Sequence, residues 1–154
     1  MFRFKDGDWS MNKYDEAIQV LAERFGHDNL ISLATMDNYR PYLRIINGYY
    51  EEGSFYAITY ALSNKMKQIE TNSEVALCAE WFTAHGVGEN IGWILDERNA
   101  LMTTKLREIF AAWYDNGHIN ENDPNTCILR VRLTDGVLFN HGIKYELDFV
   151  NRIA

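Results

Sequence analysis

The sequence predicts a small antiparallel β-barrel with peripheral helices, and three observations carry that expectation. Short runs rich in aromatic and β-branched residues follow one another closely, over residues 30–35, 41–50 and 55–60. Only the turn signals Asp37-Asn38 and Glu51-Glu52-Gly53 separate them, too little chain for a crossover, so these neighbours must run antiparallel. A doubly wound α/β sheet would need a helix between most successive strands, and the first three have none.

Each element has its own signal. Ser10 or Asn12 can cap a first helix in which Tyr14, Ile18, Leu21 and Phe25 recur at helical spacing, with Gly26 as its stop. Three strands follow, and the third, ending in Thr59-Tyr60, delivers the chain to a short helix that opens at Ser63-Asn64-Lys65 and breaks at Asn72-Ser73. A fourth strand is expected over 75–82, a loose segment over 83–88 and a fifth strand over 91–95. A long helix then carries Leu106, Ile109, Phe110 and Trp113 on one face and stops near Asn116-Gly117. Residues 120–124 read as a polar loop, 127–133 as a strand, Asp135-Gly136 as a tight turn, and 137–139 as the start of a last strand.

Composition bounds the function. The 154 residues, 47% apolar and 14% aromatic, suffice for one core, and a single domain over 1–154 is expected. Fifteen basic against 22 acidic residues give a net charge of −7, which argues against a chain whose main work is gripping nucleic acid. No apolar run approaches the roughly 20 residues of a membrane span, and Met1–Asp6 lacks a leader's apolar stretch, so the expected location is cytoplasmic. Cys78 and Cys127 are far apart and read as reduced packing residues. The four histidines show no ligand spacing, so no metal site is expected.

The strand-to-helix junction at 59–65 holds the main chemical signal. The free N–H groups of a first helical turn and the positive end of its dipole favour an anion. Ser63 can cap this helix, Lys65 and Thr59 add an ammonium and a hydroxyl, and Arg44 on the preceding strand can complete a phosphate clamp. His85, Trp81 and Trp93 are further candidates for contact with a ligand, while Glu80, Glu89 and Asp96-Glu97 read as solvated faces. There is no Ser/His/Asp arrangement, GxGxxG or P-loop.

In order and spacing these motifs resemble the FMN-binding split-barrel family, the relatives of pyridoxamine 5′-phosphate oxidase, of general stress protein 26 and of nitroimidazole-resistance proteins. The resemblance rests on Arg44-Ile45-Ile46, Gly53, Thr59, Ser63-x-Lys65, Gln68-Ile69-Glu70, Asn72, the strand at Val75-Ala76-Leu77, Trp81 and Gly92. It implies a split β-barrel and a homodimer with FMN in clefts between the subunits. On that resemblance Arg44, Thr59, Ser63, Asn64 and Lys65 surround the phosphate, the backbone of Ile45, Ile46 and Asn47 lies along the isoalloxazine ring, and Trp81 is a further flavin contact. The catalytic residues are not identified.

This chain departs from the oxidase pattern in three places. Asn64 stands where the oxidases carry an Arg, Val87 where they carry a flavin-contacting Gln, and the C-terminal Arg-x-His that holds their substrate is missing. The resemblance therefore implies an FMN-dependent oxidoreductase acting on a small acceptor such as a nitro compound or quinone, rather than a vitamin B6 oxidase. The alternative is a protein that stores or senses flavin or haem without turnover.

Overall fold

The computed structural model describes residues 2–5 and 8–154, with side chains from residue 11 onward. The reading of Met1–Asp6 falls partly outside the described residues, and Ser10 as a cap falls outside the described side chains. Strands β1 (Phe2–Lys5) and β2 (Asp8–Met11) pair as a separate antiparallel ribbon, which the sequence reading did not anticipate. Helix α1 (Lys13–Phe25) begins where Asn12 Oδ1 accepts the Asp15 N–H at 2.8 Å, and Gly26 closes it by donating to the Ala22 carbonyl at 2.9 Å. Tyr14, Ala17, Leu21 and Phe25 form its buried stripe.

The remaining strands are β3 (Asn29–Asp37), β4 (Arg40–Glu51), β5 (Ser54–Tyr60), β6 (Glu74–Ala79), β7 (Phe82–Trp93), β8 (Thr126–Asn140) and β9 (Ile143–Asp148). Their order is β5-β4-β3-β6-β7-β8-β9, every pairing is antiparallel, and β5 also pairs with β8. The barrel is thus closed by six strands, with β9 as an extra one. Inside it, Phe25 from α1 lies 5.8 Å from the Phe55 ring and 5.9 Å from Phe82, among Ile31, Leu33, Leu129 and Leu138.

The barrel is closed unevenly. β4 pairs with β3 from Arg40 to Gly48, but with β5 only at Tyr49, Tyr50 and Glu51. β5 pairs with β8 over its whole length, from Ser54 to Tyr60, but reaches β4 only through Ser54, Phe55 and Tyr56, so among the described residues the 40–48 edge of β4 has no second strand neighbour. Helix α2 (Asn64–Thr71) starts beside this split.

A second apolar cluster covers part of the outer wall. Leu106, Phe110 and Tyr114 from α3 (Ala100–Ile109), α4 (Ala111–Tyr114) and the residue between them pack with Ile94 and Ile128, and Tyr49, Tyr56 and Ile58 join them. Asp28 ties this layer to the barrel, because Asn47 Nδ2 and Trp113 Nε1 each donate to its carboxylate at 2.8 Å. Among the described residues the outer face of β3 and β4 has no such cover, and Leu30, Leu43 and Ile45 are 69, 72 and 66% exposed.

Four sequence expectations are corrected. Residues 83–88 belong to the continuous strand β7, because Gly86 and Gly88 serve close packing: a Cβ on Gly86 would meet the Arg132 carbonyl oxygen at 2.8 Å. Asp135-Gly136 is likewise mid-strand; a Gly136 Cβ would meet the Thr83 carbonyl oxygen at 2.9 Å, and the chain reverses instead at His141 and Gly142, both with positive φ. The long helix is two, broken at Phe110 (φ −97°, ψ 17°), whose buried ring turns α4 back onto the barrel. Cys127 is buried as expected, whereas Cys78 faces outward because Val75 and Leu77 take the inner positions of β6. No helix among the described residues is long and apolar enough to cross a membrane.

Candidate cofactor site

The site begins where β5 ends. Ser63 donates its N–H to the Tyr60 carbonyl at 3.0 Å and its own carbonyl accepts from Lys67 at 3.0 Å, so its backbone starts α2. Its hydroxyl, expected to cap the helix, makes no cap bond and is buried without a partner. A buried hydroxyl left unpaired costs about 1–3 kcal/mol, so its placement at a helix start points to an acceptor or donor that arrives from outside the chain.

Arg44 reaches the same region from β4. Its Nη1 donates to the carbonyls of Leu33 (3.2 Å) and Tyr42 (3.4 Å) and to Thr35 Oγ1 (2.7 Å), while Nη2 donates to Gln68 Oε1 (3.3 Å). Thr35, 1% exposed, passes its own hydroxyl proton toward Gln68 Oε1 at 2.5 Å. Every one of these partners is neutral, so the guanidinium is fixed in direction while its charge stays unbalanced. Burial lowers the Arg44 pKa.

Lys65 sits half-buried in the first turn of α2. Burial lowers its pKa, and the charge of Arg44 lowers it further. Neither cation has a carboxylate partner among the described residues. Cys127, opposite Thr59 in the β5–β8 ladder, lies near Lys65, and burial pushes its thiol up to about 11. Two cations near one another at a helix N-terminus, beside an unused hydroxyl, have the chemistry that suits an anion.

The other expected residues are distributed around this centre. Ile45 points outward, Ile46 packs against the core, and both lie on the free edge of β4. Asn47 is on that edge too, its side chain engaged with Asp28. Asn64 is exposed at the start of α2. Trp81, 70% exposed at φ 53°, sits in the β6–β7 turn against Phe139, at the end of β6 away from α2, so one copy of the chain does not bring it to Arg44. Trp93 anchors the 120s loop by donating to the Glu121 carbonyl at 2.7 Å, and His85 pairs with Asp135 at 2.8 Å on the outer wall. No group of three or more metal-ligating side chains occurs among the described residues.

Thr35 and Gln68 were not anticipated as site residues. The available signals were a Thr on the inward phase of an apolar strand and a Gln one helical turn after Lys65.

The family model described as pyridoxamine 5′-phosphate oxidase matches residues 17–138. Among solved structures, the chain is similar to general stress protein 26 from Bacillus anthracis str. Sterne, at 17% identity, TM-score 0.60, over 86% of this chain and 97% of that one. It is similar to a FAD-binding protein from Mesorhizobium loti (13%, TM-score 0.62, 82% and 92%). A heme binding protein from Mycobacterium smegmatis also resembles it (13%, TM-score 0.67, 92% and 60%). At these identities the likeness establishes the shared fold. No curated protein matches it by sequence.

Proposed function

From the premise that this chain belongs to the pyridoxamine 5′-phosphate oxidase family, we propose that it binds FMN at the split between β4 and β5, as a homodimer, and serves as an oxidoreductase for a small acceptor. The observation that carries this reading is the pair Arg44 and Lys65, cationic, half-buried and without a carboxylate, beside the unpaired Ser63 hydroxyl. The phosphate would lie among Arg44, Lys65, Ser63 and Thr59, with the first-turn N–H groups from Asn64 onward as further donors. The free 40–48 edge of β4 offers alternating N–H and C=O groups to the flavin's pyrimidine side, next to Ile45, Ile46 and Asn47.

In this reading a second copy covers the exposed wall formed by Leu30, Leu43 and Ile45 and supplies its Trp81, which lies in the β6–β7 turn and is exposed. The flavin, when bound, supplies electron transfer between a nicotinamide donor and the acceptor; the protein orients it and screens one face from water.

The test compares FMN with riboflavin, which lacks the phosphate, by fluorescence quenching. FMN should bind more tightly by about 100-fold, the order expected for charge-assisted bonds to two cations. Equal affinities would reject the site. Bleaching of the bound flavin by NADH or NADPH, followed by reoxidation with a nitro compound, separates turnover from storage.

A further inference from the structure

The far end of β5 from the cofactor site borders a second cleft, of about 520 Å³, formed by α1, the β4–β5 turn, β8 and the segment after β9. Tyr60 ends β5 beside α2, whereas Ser54 begins it at this cleft, and six steps of strand at about 3.3 Å each set the two places about 20 Å apart. The cleft floor is apolar. Tyr14 and Leu133 are buried there, Ile18 and Phe149 stand partly buried beside them, and the Tyr14 and Phe149 rings meet edge to face at 6.3 Å.

Two guanidiniums line the same cleft. Arg132 comes from β8, at the position paired with Ser54, and Arg152 comes from the turn after β9, its guanidinium 5.4 Å from the centre of the Tyr14 ring. That turn is well fixed. The Asp148 carboxylate accepts the N–H groups of Val150 (3.0 Å) and Asn151 (2.9 Å) and the Asn151 side-chain amide (2.8 Å), while the Asp148 N–H donates to the Ile153 carbonyl at 2.8 Å. Arg152 is thereby kept at φ 58°, a conformation that a residue with a side chain adopts where its surroundings impose it.

Neither arginine has a carboxylate partner among the described residues, although the chain holds 22 acidic residues against 15 basic ones and Arg98, Lys105, Arg107, Arg130 and Lys144 each have one. Glu52, exposed in the β4–β5 turn, is the one carboxylate among the described residues that line the cleft, so the lining carries a net charge of about +1. One surplus positive charge beside buried aromatic rings suits a monoanion with a flat apolar body. A phosphate dianion would leave a charge unmatched and the rings unused.

We propose that this cleft is a second ligand site, separate from the flavin site, for an aromatic monocarboxylate, whose carboxylate meets Arg132 and Arg152 and whose ring packs on Tyr14, Ile18 and Phe149. It shares no residue with the cofactor site and does not rest on the flavin reading.

The experiment titrates the full chain calorimetrically with cinnamate, with neutral cinnamamide, and with cinnamate in the presence of inorganic phosphate or FMN. Cinnamate should bind about tenfold more tightly than cinnamamide, and neither phosphate nor FMN should displace it. Arg132→Gln with Arg152→Gln should weaken cinnamate about tenfold, the order expected for two exposed ionic contacts, and keep FMN affinity within about twofold; a melting curve confirms that the variant folds. Glu52→Gln removes a like charge and should strengthen cinnamate about twofold while leaving cinnamamide unchanged, an effect that loss of folding cannot produce. Absence of cinnamate binding at millimolar concentration, equal affinity for acid and amide, an unchanged double variant, or displacement by phosphate or FMN would each overturn the proposal and leave the flavin reading untouched.

Discussion

Arg44 and Lys65 approach each other closely enough for the guanidinium to lower the lysine's pKa, and neutral oxygens alone surround the guanidinium. Like charges brought together out of water destabilise a folded chain unless something offsets them. The pair is intelligible as a site whose counter-charge comes from a ligand.

Replacing Lys65 with Met should therefore stabilise the ligand-free protein by about 1 kcal/mol while weakening FMN more than riboflavin. The pH dependence has a definite sign. The Lys65 pKa is lowered in the folded state from its ordinary 10.5, so between the lowered value and 10.5 the unfolded chain holds more protons, and stability gains with rising pH. Lys65→Met should lack that gain. Melting curves of both proteins from neutral pH to about pH 10 check it, and a less stable variant would contradict the uncompensated-charge account.

Gln68 supplies a neutral oxygen where a carboxylate would neutralise Arg44. Gln68→Glu should form an ion pair with Nη2, leave the fold at least as stable and cost FMN about tenfold in affinity, with riboflavin unaffected. Gln68→Leu should instead lower stability by about 1–2 kcal/mol, because Thr35 and Arg44 lose an acceptor. Titration and denaturant melts separate the two outcomes.

Asp28 joins the helical layer to the barrel through Asn47 and Trp113. Asp28→Ala leaves both donors unpaired and should cost about 2 kcal/mol, with a shift in tryptophan emission as the Trp113 ring gains solvent. An unchanged spectrum and melting point would remove Asp28 from this role.

Glu121 accepts from Arg107 Nε (2.7 Å) and Nη2 (3.1 Å) and from the Tyr114 hydroxyl (2.5 Å). Arg107 first, then Tyr114, lowers the Glu121 pKa below its ordinary 4.5; burial raises Tyr114 to about 12. A lowered carboxylate gives stability that is present above pH 4.5 and lost as pH falls through the folded value. Glu121→Gln should then be less stable than the parent by about 1 kcal/mol at pH 7, and the gap should close on acidification below pH 4.5.

Leu43 and Ile45 face outward from a wall that no helix covers. Leu43→Lys with Ile45→Lys should convert the proposed dimer to a monomer in sedimentation, and flavin affinity should fall with it. A monomeric parent protein that binds FMN normally would remove the intersubunit part of the reading.

Much of the fold was legible because local chemistry fixes it. Asn12 and Gly26 bound α1, Glu52-Gly53 turns β4 into β5, and Ser63 marks the start of α2. The readings that failed concern Gly86 and Gly136, taken for loop and turn glycines; their absence of a side chain answers to backbone on a neighbouring strand, a contact invisible in one dimension. Phe110 failed likewise, since its helical periodicity continues through a break imposed by packing onto the barrel. Around the proposed site, Arg44, Ser63 and Lys65 were named from residue type and spacing, whereas Thr35 looked like an ordinary strand residue and Gln68 entered only as part of the family motif, with no role, until the fold set both against one guanidinium.

The linear chain by itself determined that antiparallel strands would meander into a barrel and that a cationic helix start would follow the third strand of the meander, because turn length and residue type act over a few neighbours. Tertiary structure alone decided that β5 would pair fully with β8 and only at three residues with β4, leaving an edge of β4 open, and that Arg44 and Lys65 would lie near each other with no carboxylate partner among the described residues. Those outcomes depend on which distant surfaces close the barrel, and electrostatic cost arises only when charges are brought together in space.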